Sequence, residues 1–192
     1  MTWIAVNGIN TDGERNVNRL LYEMEKRGHD VCDFCNPRRN WITGRMRGRQ
    51  FDDAWKLCRE SHNGDSVIAH SRGGLVVFRA MQSGRRFRDV WLFSPAVPRR
   101  FRFPLGGADR VFVVFNPLDR AIFLTRFLLW GDFGTMGSEG SDWLANNPDL
   151  GRNIPHPRYG NGNSHSVYFL PDEVPMWADA LEQRGDVEVG HC

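Results

Sequence analysis

No apolar run in the 192-residue chain approaches the roughly 20 residues that a bilayer-spanning helix needs. The first residues, Met1 to Val6, read straight into a strand, without the basic n-region and small-residue cleavage site of a secretory leader. The expectation is a soluble, cytoplasmic protein with no integral membrane segment. Lysine is almost absent. Lys26 and Lys56 are the only two, so arginine carries nearly all the positive charge. Charge of one sign is also lacking: 25 basic against 23 acidic side chains leave a formal net charge of +2. That balance gives no reason to expect nucleic acid as a partner. The dense Arg38–Arg49 stretch, RRNWITGRMRGR, makes only a local positive rim.

Cysteine is scarce as well. Cys32 and Cys35 form a C-x-x-C, but no second pair and no spaced histidines complete a zinc site. A redox pair would sit at a helix N-terminus, whereas DVCDFCNP reads as a strand. Side chains at i and i+3 of a strand point to opposite faces, so no metal is expected here.

What is present is alternation. Trp3–Val6 reads as a strand, and Thr11 and Glu14 have capping-box spacing before a helix with Val17, Leu20, Leu21 and Met24 on one face. Gly28 ends that helix, and Val31–Phe34 is the second strand. A helix with Phe51, Ala54, Trp55 and Cys58 inward precedes the third strand, Ser66–His70. Then come a helix over Arg72–Gln82, strands at Val90–Phe93 and Val111–Phe115, and an apolar helix over Arg120–Trp130. Phe133–Met136 is read as a weak sixth strand and residues 138–164 as a long loop rich in Gly, Asn and Pro. A last helix over Asp172–Gln183 puts Val174, Trp177 and Leu181 inward. The predicted fold is α/β: one doubly wound, mainly parallel sheet of about six strands with helices on both faces. A single domain spans residues 1–183, with 184–192 as a tail. Ligands of such sheets bind at the carboxyl ends of the strands.

Ser71 stands at one of those ends. Ala69-His70-Ser71-Arg72-Gly73 is a G-x-S-x-G nucleophile elbow with alanine for the first glycine. A strand that turns this sharply into a helix tolerates only small residues at the flanks and lifts the hydroxyl to the helix N-terminus. The alternative is a chance serine between strand and helix. A serine nucleophile needs a base, and the base needs an orienting acid. Asp119, in FNPLDRAI, follows the strand two beyond the elbow; capping the next helix is its alternative role, and the two are compatible. His165, in GNSHSVYF, comes in the right order to be the base. His156, held between prolines, is the rival, while His29 and His62 fall at helix ends on the opposite rim.

In order, VNGIN, AHSRGG, FNPLDRAI and HSVYF resemble the oxyanion loop, nucleophile elbow, acid loop and histidine loop of the α/β-hydrolase superfamily. The HSxYF-like block resembles that of compact phage and bacterial predicted hydrolases. The family pattern has His-Gly after the first strand where this chain has Asn7-Gly8; the oxyanion donor there is a backbone N–H, which the exchange preserves. The resemblance implies a minimal hydrolase fold without a large cap domain. It also implies an oxyanion hole built from the N–H groups of Ile9 and Arg72, with Asn10 as alternate donor and candidate substrate contact. It implies a Ser71–His165–Asp119 serine hydrolase, carboxylesterase or lipase-like, that needs no metal or cofactor. Thioesterase, peptidase and acyltransferase chemistry use the same triad, and a non-catalytic binding protein on the same fold is the alternative from another class. The expected substrate is a small-molecule, lipid or polymer ester. Phe123 and Phe127, on the helix after Asp119, are candidate acyl contacts, with plain core packing as the competing role.

Overall fold

The computed structural model describes residues 2–8, 17–34, 46–124, 133–156 and 164–183. Six strands form one all-parallel sheet in the order β2-β1-β3-β4-β5-β6. They are β1 (Thr2–Val6), β2 (Asp30–Phe34), β3 (Ser66–His70), β4 (Phe87–Phe93), β5 (Ala108–Phe115) and β6 (Gly151–Pro155). The helices are α1 (Val17–Lys26), α2 (Arg47–Glu60), α3 (Arg72–Gln82), α4 (Arg120–Leu124), α5 (Met136–Glu139), α6 (Asp142–Ala145) and α7 (Val174–Glu182). Short 3-10 helices cover Pro148–Leu150 and Ser164–Phe169.

Strand alternation sorts the core into two layers, because successive side chains leave opposite faces of the sheet. Ile4, Val67, Val90, Leu92, Val111 and Val113 pack with Ala54 and Leu57 of α2 and with Leu75, Val76 and Phe78 of α3. Trp3, Ile68, Trp91, Phe93, Phe112 and Val114 pack with Leu20 and Met24 of α1 and with Trp177 and Leu181 of α7. This is the doubly wound α/β fold that the sequence predicts, and no cap domain is inserted among the described residues. No helix among them is long and apolar enough to cross a membrane.

Three expectations are corrected. Phe133–Met136 is not a strand. Its backbone bonds the loop after β4 (Gly134 N–H to Ala96 O, Met136 N–H to Val97 O) instead of a strand edge. The sixth strand lies inside the predicted long loop, at Gly151–Pro155, beside α6. That strand bears glycine and proline at its ends and buries Ile154 as its one large apolar side chain, so it has no readable period. Gly151 takes φ 153°, and a Cβ there would lie 1.7 Å from the Val111 carbonyl oxygen; no other residue fits. Finally, Trp55 is 65% exposed. The buried stripe of α2 is instead Gln50, Asp53, Ala54 and Leu57, because Asp53 turns inward to an ion pair with Arg72. The Thr11–Glu14 capping box, Cys35, residues 125–130 of the apolar helix and the 184–192 tail lie outside the described residues.

Candidate active site

Register builds the site. Val6 pairs with Ala69, Ala69 with Leu92 and Leu92 with Val113. Two residues further along each strand, Gly8, Ser71, Ser94 and Phe115 therefore stand in one row where the strands end. The chain runs outward from β1 to β2 and then returns to place β3 on the other side of β1. Gly8 and Ser71 flank this switch point, where open α/β sheets bind their ligands.

Ser71 takes φ 55° and ψ −123°, a conformation rare for any residue but glycine. Three backbone hydrogen bonds hold it there. Its N–H donates to Phe93 O (3.0 Å), and its carbonyl accepts from Gly74 N–H (3.1 Å) and Ala96 N–H (3.0 Å). Strain fixed this way costs of order 1–3 kcal/mol and is characteristic of working sites. The small residues around it have specific reasons. A Cβ at Gly73 would lie 2.2 Å from Val6 O, so α3 can start only by touching the backbone of β1. One at Gly74 would lie 2.8 Å from Pro95 Cβ, and one at Gly8 would lie 3.0 Å from Ser71 Cβ and 3.4 Å from its Oγ.

Asp119 and His165 come together, with His165 Nδ1 2.7 Å from Asp119 Oδ2. Asp119 is fully buried and also accepts the Ile122 N–H at 3.0 Å, so it caps α4 as well. Burial alone pushes its carboxyl up. The hydrogen bond and charge of His165, the Ile122 amide and the Ser94 hydroxyl outweigh that and hold it below the usual carboxylate range. The carboxylate can only accept, so His165 Nδ1 carries the proton and Nε2 of the neutral ring is left with the lone pair. His165 belongs to the Ser164–Phe169 3-10 helix, and its side chain is 22% exposed.

The rival His156 is elsewhere. It is buried at the end of β6, with its Nε2 3.3 Å from Glu173 Oε2 and its ring edge-on to Tyr168. His29 pairs with Glu182, and the His62 side chain is 90% exposed. Arg72 N–H is the first amide of α3, one of the four that a helix leaves without an internal acceptor. Its guanidinium turns away to a buried ion pair with Asp53 of α2. Ile9, Asn10, Phe127 and the Phe123 side chain lie outside the described residues.

Sequence reasoning missed three neighbours. His70 donates its Nε2–H to the His165 carbonyl at 2.8 Å, and the two rings lie 4.6 Å apart. Burial, then the nearby His165, pushes the His70 imidazole down to about 3, so it stays neutral. Ser94, also at positive φ (40°), lies against Tyr168, with 2.8 Å between their oxygens. A histidine beside the elbow serine and a tyrosine three residues past the base were visible as residue types. Nothing in their spacing said that they meet.

No protein-family model matches the sequence, and no curated protein shows significant similarity to it. Solved structures do share the fold. TT1662 from Thermus thermophilus superposes with a TM-score of 0.61 at 13% identity, covering 97% of this chain and 90% of that one. A Pectobacterium atrosepticum protein named as a YdeN-like hydrolase does so with a TM-score of 0.51 at 14% identity, covering 95% and 91%. At these identities the likeness is one of fold: the chain shares the α/β architecture of these structures, with no large cap among the described residues.

Proposed function

We propose that the protein is a serine hydrolase that cleaves carboxylic esters through Ser71, His165 and Asp119. The observation that carries this reading is the 2.7 Å His165–Asp119 hydrogen bond at the same sheet edge as a serine held in a strained strand-to-helix turn. Asp119 fixes the tautomer, His165 Nε2 accepts the Ser71 proton as the hydroxyl attacks, and the ester carbon becomes tetrahedral. The developing oxyanion is met by the Arg72 N–H, with the Ile9 amide as its partner donor and Asn10 as the alternate. His165 then returns the proton to the leaving alcohol, and water, activated by the same ring, frees the acyl group. The hydrolase name of the Pectobacterium neighbour agrees with this chemistry. Phe123 and Phe127 are proposed to contact the acyl chain. No step in this sequence calls on a metal or cofactor.

The test is covalent. An alkyl fluorophosphonate should label the wild-type protein on Ser71 and leave a folded Ser71→Ala variant unlabelled. Labelling of Ser71→Ala, or none of the wild type, would remove the assignment. A panel of p-nitrophenyl esters, thioesters and peptides then separates ester hydrolysis from thioesterase, peptidase and acyltransferase activity.

A further inference from the structure

A row of three polar side chains runs from the end of β1, beside the nucleophile, out to β2. Asn7 follows the last residue of β1, and its Nδ2–H donates to Asn18 Oδ1 at 2.7 Å. Asn18, in the first turn of α1, donates in turn from Nδ2 to Asp33 Oδ2 at 3.0 Å. Register explains why they meet. Asp33 of β2 pairs with Ala5 of β1, and Ala5 lies in the core layer that α1 covers, so Asp33 faces the side of the sheet where Asn18 stands. The direction of the row is set from its outer end. A carboxylate only accepts, so Asn18 turns its NH2 to Asp33 and its carbonyl oxygen to Asn7; Asn7 then presents its own NH2. One acceptor orients two amides.

What the row holds is the backbone that faces Ser71. A Cβ on Gly8, the residue after Asn7, would lie 3.0 Å from Ser71 Cβ, and one on Gly73 would lie 3.0 Å from the Asn7 carbonyl oxygen. The Asn7–Gly8 peptide therefore runs against both the elbow serine and the first turn of α3. In sequence, Asn7 and Asn18 also bracket the stretch that contains Ile9, the proposed second oxyanion donor. Packing alone has no need of this row. Trp3 and Ala5 of β1 already share one apolar layer with Val17, Leu20 and Leu21 of α1. Three polar side chains add direction to a contact that the apolar ones make without them.

We propose that Asn7, oriented by Asn18 and Asp33, is a positioning residue that fixes the β1 side of the oxyanion hole against Ser71. The proposal rests on the hydrolase reading of Ser71, His165 and Asp119. Asn7 acts through its own backbone: it sets where the Gly8 peptide starts, and the amides beyond it meet the oxyanion together with the Arg72 N–H. Such a donor works only when it is already aimed at the place where charge develops. A displacement of about 1 Å forfeits much of its value in the transition state and little in the ground state. Substrate binding should therefore hardly change. His165 and Asp119 take no part in this row, so the base should keep its own titration.

The test uses the full chain and two probes, an alkyl fluorophosphonate that labels Ser71 and an alkyl trifluoromethyl ketone. Ser71 Oγ adds to the ketone carbonyl, the serine proton passes to His165, and the former carbonyl oxygen becomes an oxyanion in the hole. Ketone affinity, read by competition with labelling, therefore follows the hole itself. Asn18→Ala should lower the maximal labelling rate about tenfold with little change in half-saturation, and weaken the ketone by about the same factor. The acid-limb midpoint of labelling should stay at its wild-type value. The exchange Asn18→Asp with Asp33→Asn keeps a donor opposite every acceptor, since position 33 then donates and position 18 accepts from both sides. It should recover most of both losses. Asp33→Ala, at the exposed end of the row, should move rate and ketone affinity the same way by less. It carries the test should Asn18→Ala fail to fold. A merely structural tie predicts a lower melting temperature with rate and ketone affinity unchanged in the folded protein. That result, a shifted acid limb, or an exchange that recovers nothing, with Ser71→Ala unlabelled, would overturn this proposal alone. An unlabelled wild type, or a labelled Ser71→Ala, would overturn the hydrolase reading and this proposal with it.

Discussion

His70 holds His165 by the backbone: its Nε2–H donates to the His165 carbonyl at 2.8 Å, with the rings 4.6 Å apart. A carbonyl only accepts, so this bond fixes His70 as the Nε2–H tautomer, and the ring packs T-shaped against Phe169. The residue before the elbow serine thereby sets where the histidine loop lies. Replacing it with phenylalanine should leave the His165 carbonyl without that donor and lower the fluorophosphonate labelling rate by about tenfold, at a stability cost of about 1–3 kcal/mol. Glutamine, which keeps an N–H donor, should recover part of both. Equal labelling by wild type and a folded His70→Phe protein would show that the contact positions nothing.

The same residue makes folding pH-dependent. Its native imidazole is pushed down to about 3 while an unfolded histidine titrates near 6.5. Between those values the unfolded chain binds a proton that the native protein refuses, so stability falls as pH falls and is fully present above about 6.5. Asp119, held below the usual carboxylate range, adds a loss of the same sign only at lower pH. The His70 contribution reaches about 1.4 kcal/mol per pH unit. Denaturant unfolding at mildly acidic and neutral pH should therefore show a smaller acid loss in His70→Gln than in wild type. Identical losses would refute it.

His165 and His156 should separate chemistry from stability. His165→Ala is expected to match Ser71→Ala in lost ester hydrolysis, several orders of magnitude, with the fold kept. His156→Ala opens a cavity beside Tyr168 and strips the buried Glu173 carboxylate of the imidazole 3.3 Å away. Its cost should be about 3–5 kcal/mol of stability, with the folded fraction still labelled on Ser71. Inactive His156→Ala and active His165→Ala, both folded, would reverse the assignment of the base.

Gly8 and Gly73 differ in what a methyl group would strike. At Gly73 it would meet the Val6 carbonyl at 2.2 Å, backbone that cannot retreat without moving β1 or α3. At Gly8 it would meet Ser71 Cβ at 3.0 Å and Oγ at 3.4 Å, a milder crowding that falls on the proposed nucleophile itself. Gly73→Ala should therefore fail to fold or lose several kcal/mol. Gly8→Ala should fold and label slowly. Thermal melts beside labelling rates decide it, and a stable Gly73→Ala protein would contradict the packing described.

These residues also show how far the sequence could be read. The helix over Arg72–Gln82 and the strand over Ser66–His70 were legible to the residue, because apolar runs and glycines punctuate them. β4 and β5 were read three residues short at their starts. Their openings carry Asp89 and Arg110, which face each other across the ladder and pair at 3.0 Å; a charge pair cancels what an apolar count would look for. β6 was lost because an edge strand with a single large buried apolar residue has no period to detect. At the site, chain order alone led to the contact between Asp119 and His165. Ser94, Tyr168 and His70 join it through sheet register and the 3-10 turn, both of which exist only after folding.

The buried pair between Arg72 and Asp53 gives the last prediction. Both side chains are about 1% exposed, and they tie the first turn of α3 to α2 directly behind Ser71. Asp53→Ala would leave a guanidinium in the core with its carboxylate gone, at a cost of about 3–5 kcal/mol. The Arg72 amide, the proposed oxyanion donor, sits on the same residue, so loosening that turn should also slow labelling of Ser71. The double variant Asp53→Leu with Arg72→Met replaces both charges by apolar groups of similar volume. It should recover most of the stability, since removing a whole buried pair costs far less than orphaning one partner. The backbone N–H survives this exchange, and the labelling rate should recover with the fold. Stability restored without labelling would mean that the guanidinium itself acts on the reaction, and an Asp53→Ala protein as stable as wild type would show that the pair does not hold the turn.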